Sequence, residues 1–102
     1  MSGAATVFRR NQDAVFRVID GEAVVVEPRK GLVSVLNEVG CRIWELADGT
    51  ATAGAIAQTI ADEFDVAVQT ALADTIAFLD DLRDKGLVDA SAAHGPDLRA
   101  KT

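Results

Sequence analysis

The apolar residues of this chain change their spacing at Asn37, from every second position to nearly every fourth, which commits it to strands first and helices after. Before Asn37, β-branched and apolar residues cluster in Val15-Phe16-Arg17-Val18-Ile19 and again in Ala23-Val24-Val25-Val26, with Asp20-Gly21 between the two runs. Asp-Gly in that place predicts a tight hairpin, because a type I′ turn needs positive φ, which Gly and Asp tolerate. Pro28-Arg29-Lys30-Gly31 makes a second break before Leu32-Val33-Ser34-Val35-Leu36. Together the three runs predict a three-stranded antiparallel β-meander.

After the change of period, Leu36, Val39, Gly40, Ile43 and Ala47 fall on one helical stripe. Asn37 suits the N-cap, since its side chain accepts a bond from a free backbone amide, and Asp48-Gly49-Thr50 ends the helix. Thr52 caps a second helix, in which Ile56, Ile60 and Phe64 recur while Ala53, Ala57 and Ala61 permit close approach to a neighbour. The third helix runs from about Ala67 to Lys85, with Val68, Leu72, Ile76 and Leu79 on one stripe and Ala71, Thr75, Phe78 and Leu82 on the next. Gly86 suits the left-handed position that closes it. This apolar face is wider than contact with two short helices requires. The excess reads first as core against the sheet and second as the wall of a ligand groove.

A chain of 102 residues with 49% apolar side chains supports one core. The expected organisation is α+β: a meander followed by a three-helix bundle over residues 15–89, with a flexible N-terminal arm at 1–14 and a disordered C-terminal tail at 90–102. Val7 and Phe8 are the only large apolar groups of the arm, and Leu87-Val88 read as a last short strand or a plug.

Several functions are disfavoured by what the chain carries. Cys41 and His94 are each the only residue of their kind, so neither a disulfide nor a cysteine metal cluster can be built within one chain. Cys41 reads as a small buried helix residue and His94 as part of the tail. There is no paired nucleophile and base, no metal-ligand cluster and no glycine-rich phosphate loop, and the adjacent acids Asp62-Glu63 and Asp80-Asp81 read as solvated charge. A non-enzyme without cofactor is therefore expected. No apolar run approaches the roughly 20 residues of a membrane span, and the chain reads as soluble and cytoplasmic. Net charge is −6, with four basic and eleven acidic residues from Glu45 to Thr102, so that half repels phosphate.

The order of elements, and above all the segment from Leu36-Asn37 through Ile43-Trp44 to Asp48-Gly49, resembles the PqqD family of pyrroloquinoline quinone biosynthesis. Ile56, Asp65, Phe78-Leu79-Asp80-Asp81-Leu82 and Gly86-Leu87-Val88 also sit where that family's pattern has them, so the resemblance covers about Val15 to Asp89. One stretch departs from it: Glu27-Pro28-Arg29-Lys30-Gly31 stands where PqqD proper tends to have an aromatic residue before Pro and an acidic one after.

The resemblance implies a winged-helix-like RiPP recognition element, which captures the leader of a ribosomally made precursor peptide and presents it to a modifying enzyme. In the founding pathway that enzyme is a radical S-adenosylmethionine (radical SAM) protein. It implies a leader bound as an added strand between the third strand and the third helix. On this sequence that assigns Leu32, Val33, Ser34, Val35 and Leu36 to the docking edge, and Thr75, Phe78, Leu79 and Leu82 to the groove wall.

Physics permits such a role, since the third strand of a meander has a free edge that templates another strand. A leader, the chain's own N-terminal arm, or a second copy in a swapped homodimer would each cover it. Asp74, Asp81 and Asp84 on the third helix would attract a leader carrying Lys or Arg. A winged helix also suggests a DNA-binding regulator, but Ala67 to Leu82 contains Asp74, Asp80 and Asp81 and no Arg or Lys, which argues against nucleic acid. A plain protein-interaction or dimerisation domain using the same edge is the remaining alternative.

Overall fold

The computed structural model describes residues 2–20 and 22–92. Along the chain these form β1 (Thr6–Arg10), β2 (Val15–Ile19), β3 (Glu22–Glu27), β4 (Leu32–Leu36), α1 (Glu38–Leu46), β5 (Asp48–Thr52), α2 (Ala53–Phe64), α3 (Val68–Asp84) and β6 (Val88–Ala92). The expected α+β class, with meander and three helices, is present. A second three-stranded antiparallel sheet, in the order β5-β1-β6, lies beside the predicted β2-β3-β4 sheet.

Each turn of the meander has a local cause. Asp20 takes a left-handed conformation, φ +52°, as the Asp-Gly signal requires. Between β3 and β4, the buried Glu27 carboxylate accepts hydrogen bonds from the backbone N–H of Arg29 at 2.8 Å and of Lys30 at 3.1 Å. Gly31, φ +68°, lets its own N–H reach the Glu27 carbonyl at 2.8 Å. A carboxylate withdrawn from water is tolerable only with such donors, so the Glu27-Pro28-Arg29-Lys30-Gly31 segment is a self-capped turn.

The helices begin where the sequence foretold. Asp48-Gly49-Thr50, expected only to end the first helix, is instead part of strand β5: α1 already closes at Leu46, with Ala47 as its cap, and the pairing of β5 with β1 extends the segment. Asn37 Oδ1 accepts from the Gly40 N–H at 2.7 Å at the start of α1, and Thr52 Oγ1 from the Ala55 N–H at 3.1 Å at the start of α2. Asp65, φ +56°, closes α2 and Gly86, φ +79°, follows α3. Ala53, Ala57 and Ala61 are buried on α2, and Leu79 and Leu82 are buried on α3.

The N-terminal expectation needs correction. Residues 6–10 are the central strand of the second sheet, and Phe8 is 0% exposed within the common core. A buried aromatic ring and hydrogen-bonding on both edges tie this segment down, however polar its neighbours. Arg10 extends the tie: its Nη1 donates to the carbonyl oxygens of Trp44 at 2.7 Å and Glu45 at 2.8 Å, free acceptors at the end of α1. At the other terminus, Ala90 and Ser91 continue β6 against β1, whereas residues 93–102, including His94 and most of the expected tail, lie outside the described residues.

Candidate functional site

Strand β4 pairs with β3 along one edge, from Glu27↔Leu32 to Ala23↔Leu36, and ends the β2-β3-β4 sheet on the other side. Its inward residues Ser34 and Leu36 are buried against the helices, while Val33 and Val35 are 56% and 64% exposed on the outer face. The free backbone of β4 therefore has a packed side and an open side.

Beside the Leu36 end of that strand lies a cleft of about 840 Å³ lined by Val18, Glu22, Ala23, Val35, Leu36, Asn37, Glu38, Cys41 and Phe78. A smaller hollow of about 330 Å³ continues from it between α1 and α3, sharing Asn37 and Phe78 and adding Val39, Gly40, Ile43 and Asp74. Phe78 is thus the α3 side chain common to both. Gly40 makes room for it: a β-carbon on Gly40 would meet Phe78 Cζ at 3.2 Å. Midway along β4, Lys85 Nζ, 3.4 Å from Ser34 Oγ, bridges the strand to the end of α3.

Of the residues that sequence assigned to the groove, the structure brings Val35, Leu36 and Phe78 together around the larger cleft. Ser34, midway along β4, is buried outside the cleft and lies next to Lys85, Val33 points outward, and Leu32 enters through its backbone pairing with Glu27. Thr75, Leu79 and Leu82 are 0%, 0% and 1% exposed, and their place as groove wall is corrected to the core beneath it. An apolar stripe at helical spacing has two flanks, and the side packed against α2 and β6 took these residues. Thr75 Oγ1 has no partner among the described residues and borders a cavity of about 100 Å³ between the helices, where a water would satisfy it.

The cleft also gathers residues that sequence did not single out for it. Val18 and Ala23 belong to the hairpin, and Asn37, Glu38 and Cys41 to the start of α1. Local periodicity carries no sign that these approach Phe78. Burial, with Glu45 and then Glu38 nearby, pushes the Cys41 thiol up, so the cysteine lines the cleft as an apolar surface and not as a thiolate. Of the three acids thought to attract a basic leader, Asp81 is held by Lys85 at 2.9 Å and Asp84 lies 3.9 Å from Arg83; Asp74 makes no salt bridge among the described residues. Among those residues no group of three or more His, Cys, Asp or Glu is placed to hold a metal, and no helix is long and apolar enough to cross a membrane.

The family model for coenzyme PQQ synthesis protein D (PqqD) matches residues 22–88, from the second strand of the meander to the start of β6. The chain belongs to the PqqD family. Two solved structures share the fold of this PqqD-family protein. One is TbiB1 in complex with the TbiA(beta) leader peptide, 30% identical, with a TM-score of 0.71 over 82% of this chain and 98% of that one. The other is lasso peptide synthetase B1 complexed with the leader peptide, 22% identical, with a TM-score of 0.71 over 80% and 96% of the respective chains. No curated protein matches the chain in sequence. The family match begins at residue 22, so β1 and β2 lie outside it, while the β3-β4 pair, the cleft helices and Phe78 lie within it.

Proposed function

We propose that this protein is a non-catalytic peptide chaperone. It binds the leader of a ribosomally made precursor peptide by adding a strand to the free edge of β4, and presents that precursor to a modifying enzyme. In the founding pathway of the family the enzyme is of the radical S-adenosylmethionine type. The observation that carries this reading is the juxtaposition of an unpaired strand edge with the apolar cleft at Phe78, in a PqqD-family chain whose 30% identical structural relative was solved with a leader peptide.

The proposed contact set is the edge Leu32 to Leu36 with Phe78, floored by the core residues Thr75, Leu79 and Leu82. Four backbone hydrogen bonds on the edge contribute about 0.5 to 1.5 kcal/mol each and discriminate little between sequences. Two apolar leader side chains buried in the cleft contribute roughly 1.5 to 3 kcal/mol each. Ordering a flexible peptide offsets about 2 to 5 kcal/mol of this, so a near-micromolar affinity, about 8 kcal/mol, requires these contacts to lie in the upper part of their ranges. Specificity then lies in the cleft and not in the backbone ladder.

Amide chemical shifts followed during titration with leader peptides test the assignment. Binding is expected to move Val33 to Leu36 and Phe78 first, and alternate N-methylation of the peptide backbone is expected to abolish binding at every second position only. A leader that binds while β4 stays unperturbed rejects the strand-addition reading. A second copy on the same edge would instead make the β4 shifts depend on protein concentration with no peptide present.

A further inference from the structure

The two ends of the groove carry opposite charge. Midway along β4, Lys85 Nζ lies 3.4 Å from Ser34 Oγ, and the Lys30 turn stands at the Leu32 end. The Lys30 ammonium lies over Gly86, where a β-carbon would sit 2.6 Å from Nζ. Both cations stand just past the end of α3, where the helix dipole favours them. At the Leu36 end, Glu22 and Glu38 border the larger cleft and Asp74 the smaller hollow. None of these three makes a salt bridge among the described residues, and Arg42, the cation on α1, is already taken up by Glu45 and Glu63. Along β4 the acidic pole at Leu36 is about 7 Å from Ser34, beside Lys85, and about 13 Å from Leu32, next to the Lys30 turn.

We infer that this groove reads the order of charges along its peptide: an apolar stretch of about two to four residues, at roughly 3.3 Å per residue, flanked by Lys or Arg at the Leu36 end and by Asp or Glu toward the Leu32 end. The inference rests on the leader-binding reading of the same groove. Because Asp81 partly neutralises Lys85, the acidic pole is the stronger of the two. β4 runs from the lysine pole to the acidic pole, so a peptide antiparallel to it meets the acids with its N-terminal side and carries its basic residue first. Backbone pairing alone accepts either direction. Charge placed at both ends supplies the direction that the ladder lacks. Each matched pair is exposed and adds only about two- to five-fold to affinity. Inverting both ends exchanges attraction for repulsion and weakens binding about ten-fold at low ionic strength, with most of the difference lost at high salt.

The test uses random 16-residue peptides displayed on phage, a length of roughly 50 Å when extended. They are selected at low salt on three targets: the wild type, the Lys30→Glu/Lys85→Glu variant and the Glu38→Lys/Asp74→Lys variant. Recovered peptides are synthesised and titrated, and one counts as a groove ligand when Phe78→Ala weakens it. The expected result is a shared basic, apolar, acidic order in wild-type ligands, with each variant reversing the selected sign at its own end alone. Groove ligands without a charge order, or equal affinity for charge-inverted peptides, overturn the inference and leave leader binding standing. Recovery of no groove ligand from any of the three selections overturns the leader-binding reading and this inference together.

Discussion

Gly40 on α1 lies directly under the ring of Phe78 on α3, with Phe78 Cζ 3.2 Å and Cε1 3.3 Å from the place a methyl group would occupy. The ring is half-buried and faces the cleft, so it has room to yield. Gly40→Ala is expected to tilt Phe78 into the cleft, while the helix gain of about 1 kcal/mol is offset by crowding of the Asn37 cap oxygen, 3.2 Å from the new methyl group. Urea denaturation should show a stability within about 1 kcal/mol of the wild type, and leader titration an affinity reduced about ten-fold, as expected when roughly 1.4 kcal/mol of side-chain burial is lost. A variant that binds unchanged would remove Phe78 from the site.

The hairpin is fastened to the helices by Phe16, whose ring stacks on Trp44 with centroids 6.4 Å apart and planes 18° from parallel. Arg10 completes the arrangement 5.9 Å above the Trp44 ring. An aromatic pair is worth about 0.5 to 1.5 kcal/mol beyond its buried area. Phe16→Ala is therefore expected to cost roughly 2 kcal/mol once lost area is included. Trp44 is the single tryptophan of the chain, so its fluorescence follows the unfolding directly, and its emission should shift to the red in the folded variant.

The contrast between the two sheets shows how far local sequence reaches. β2, β3 and β4 are adjacent in the chain, β-branched, and joined by turns with their own chemistry at Asp20 and Gly31, so each signal lies within a few residues of its effect. β1, β5 and β6 pair residues as far apart as Thr6 and Ala92, and their Thr, Ala, Asp and Arg side chains look like loop or tail until the partner strands are in view. The site divides in the same way. A free β4 edge follows from the meander, whereas the cleft is closed by Val18, Glu38 and Cys41 from separate elements. Helical period found the apolar faces of α3 but could not say that Thr75, Leu79 and Leu82 meet the core while Phe78 meets the opening.

Arg42 ties α1 to α2 through a two-pronged pair with Glu63, Nε to Oε1 at 2.8 Å and Nη2 to Oε2 at 2.9 Å. That hydrogen-bonding holds the Glu63 carboxyl below its ordinary range, with the guanidinium charge adding to it. A lowered folded-state pKa means stabilisation that is complete above the unfolded value, about 4.3 for Glu, and is lost as pH falls through the folded one. Glu63→Gln should thus lower the urea midpoint slightly at pH 7. The difference from wild type should shrink with added salt and vanish in acid. A gap that persists unchanged at low pH would mean the variant acts through packing instead.

Phe8 decides whether the N-terminal segment is an arm or part of the fold. It is fully buried on β1, and β1 separates β5 from β6, so its removal both opens a cavity and leaves two short strands unpaired. Truncating a buried Phe to Ala costs about 3 to 5 kcal/mol. Against a net stability of about 5 to 15 kcal/mol for a domain, low in that range for a chain this short, Phe8→Ala should leave a protein that unfolds at a small fraction of the wild-type urea concentration. Val18, 66% exposed, provides the comparison, and Val18→Ala should change stability by less than about 0.5 kcal/mol. If Phe8→Ala were instead as mild as Val18→Ala, β1 would be a detachable strand able to leave the second sheet without disturbing the cleft. The shared core of Phe8, Ile56, Leu79 and Val88 argues the opposite, since losing the ring would loosen α3 and with it the helix that carries Phe78.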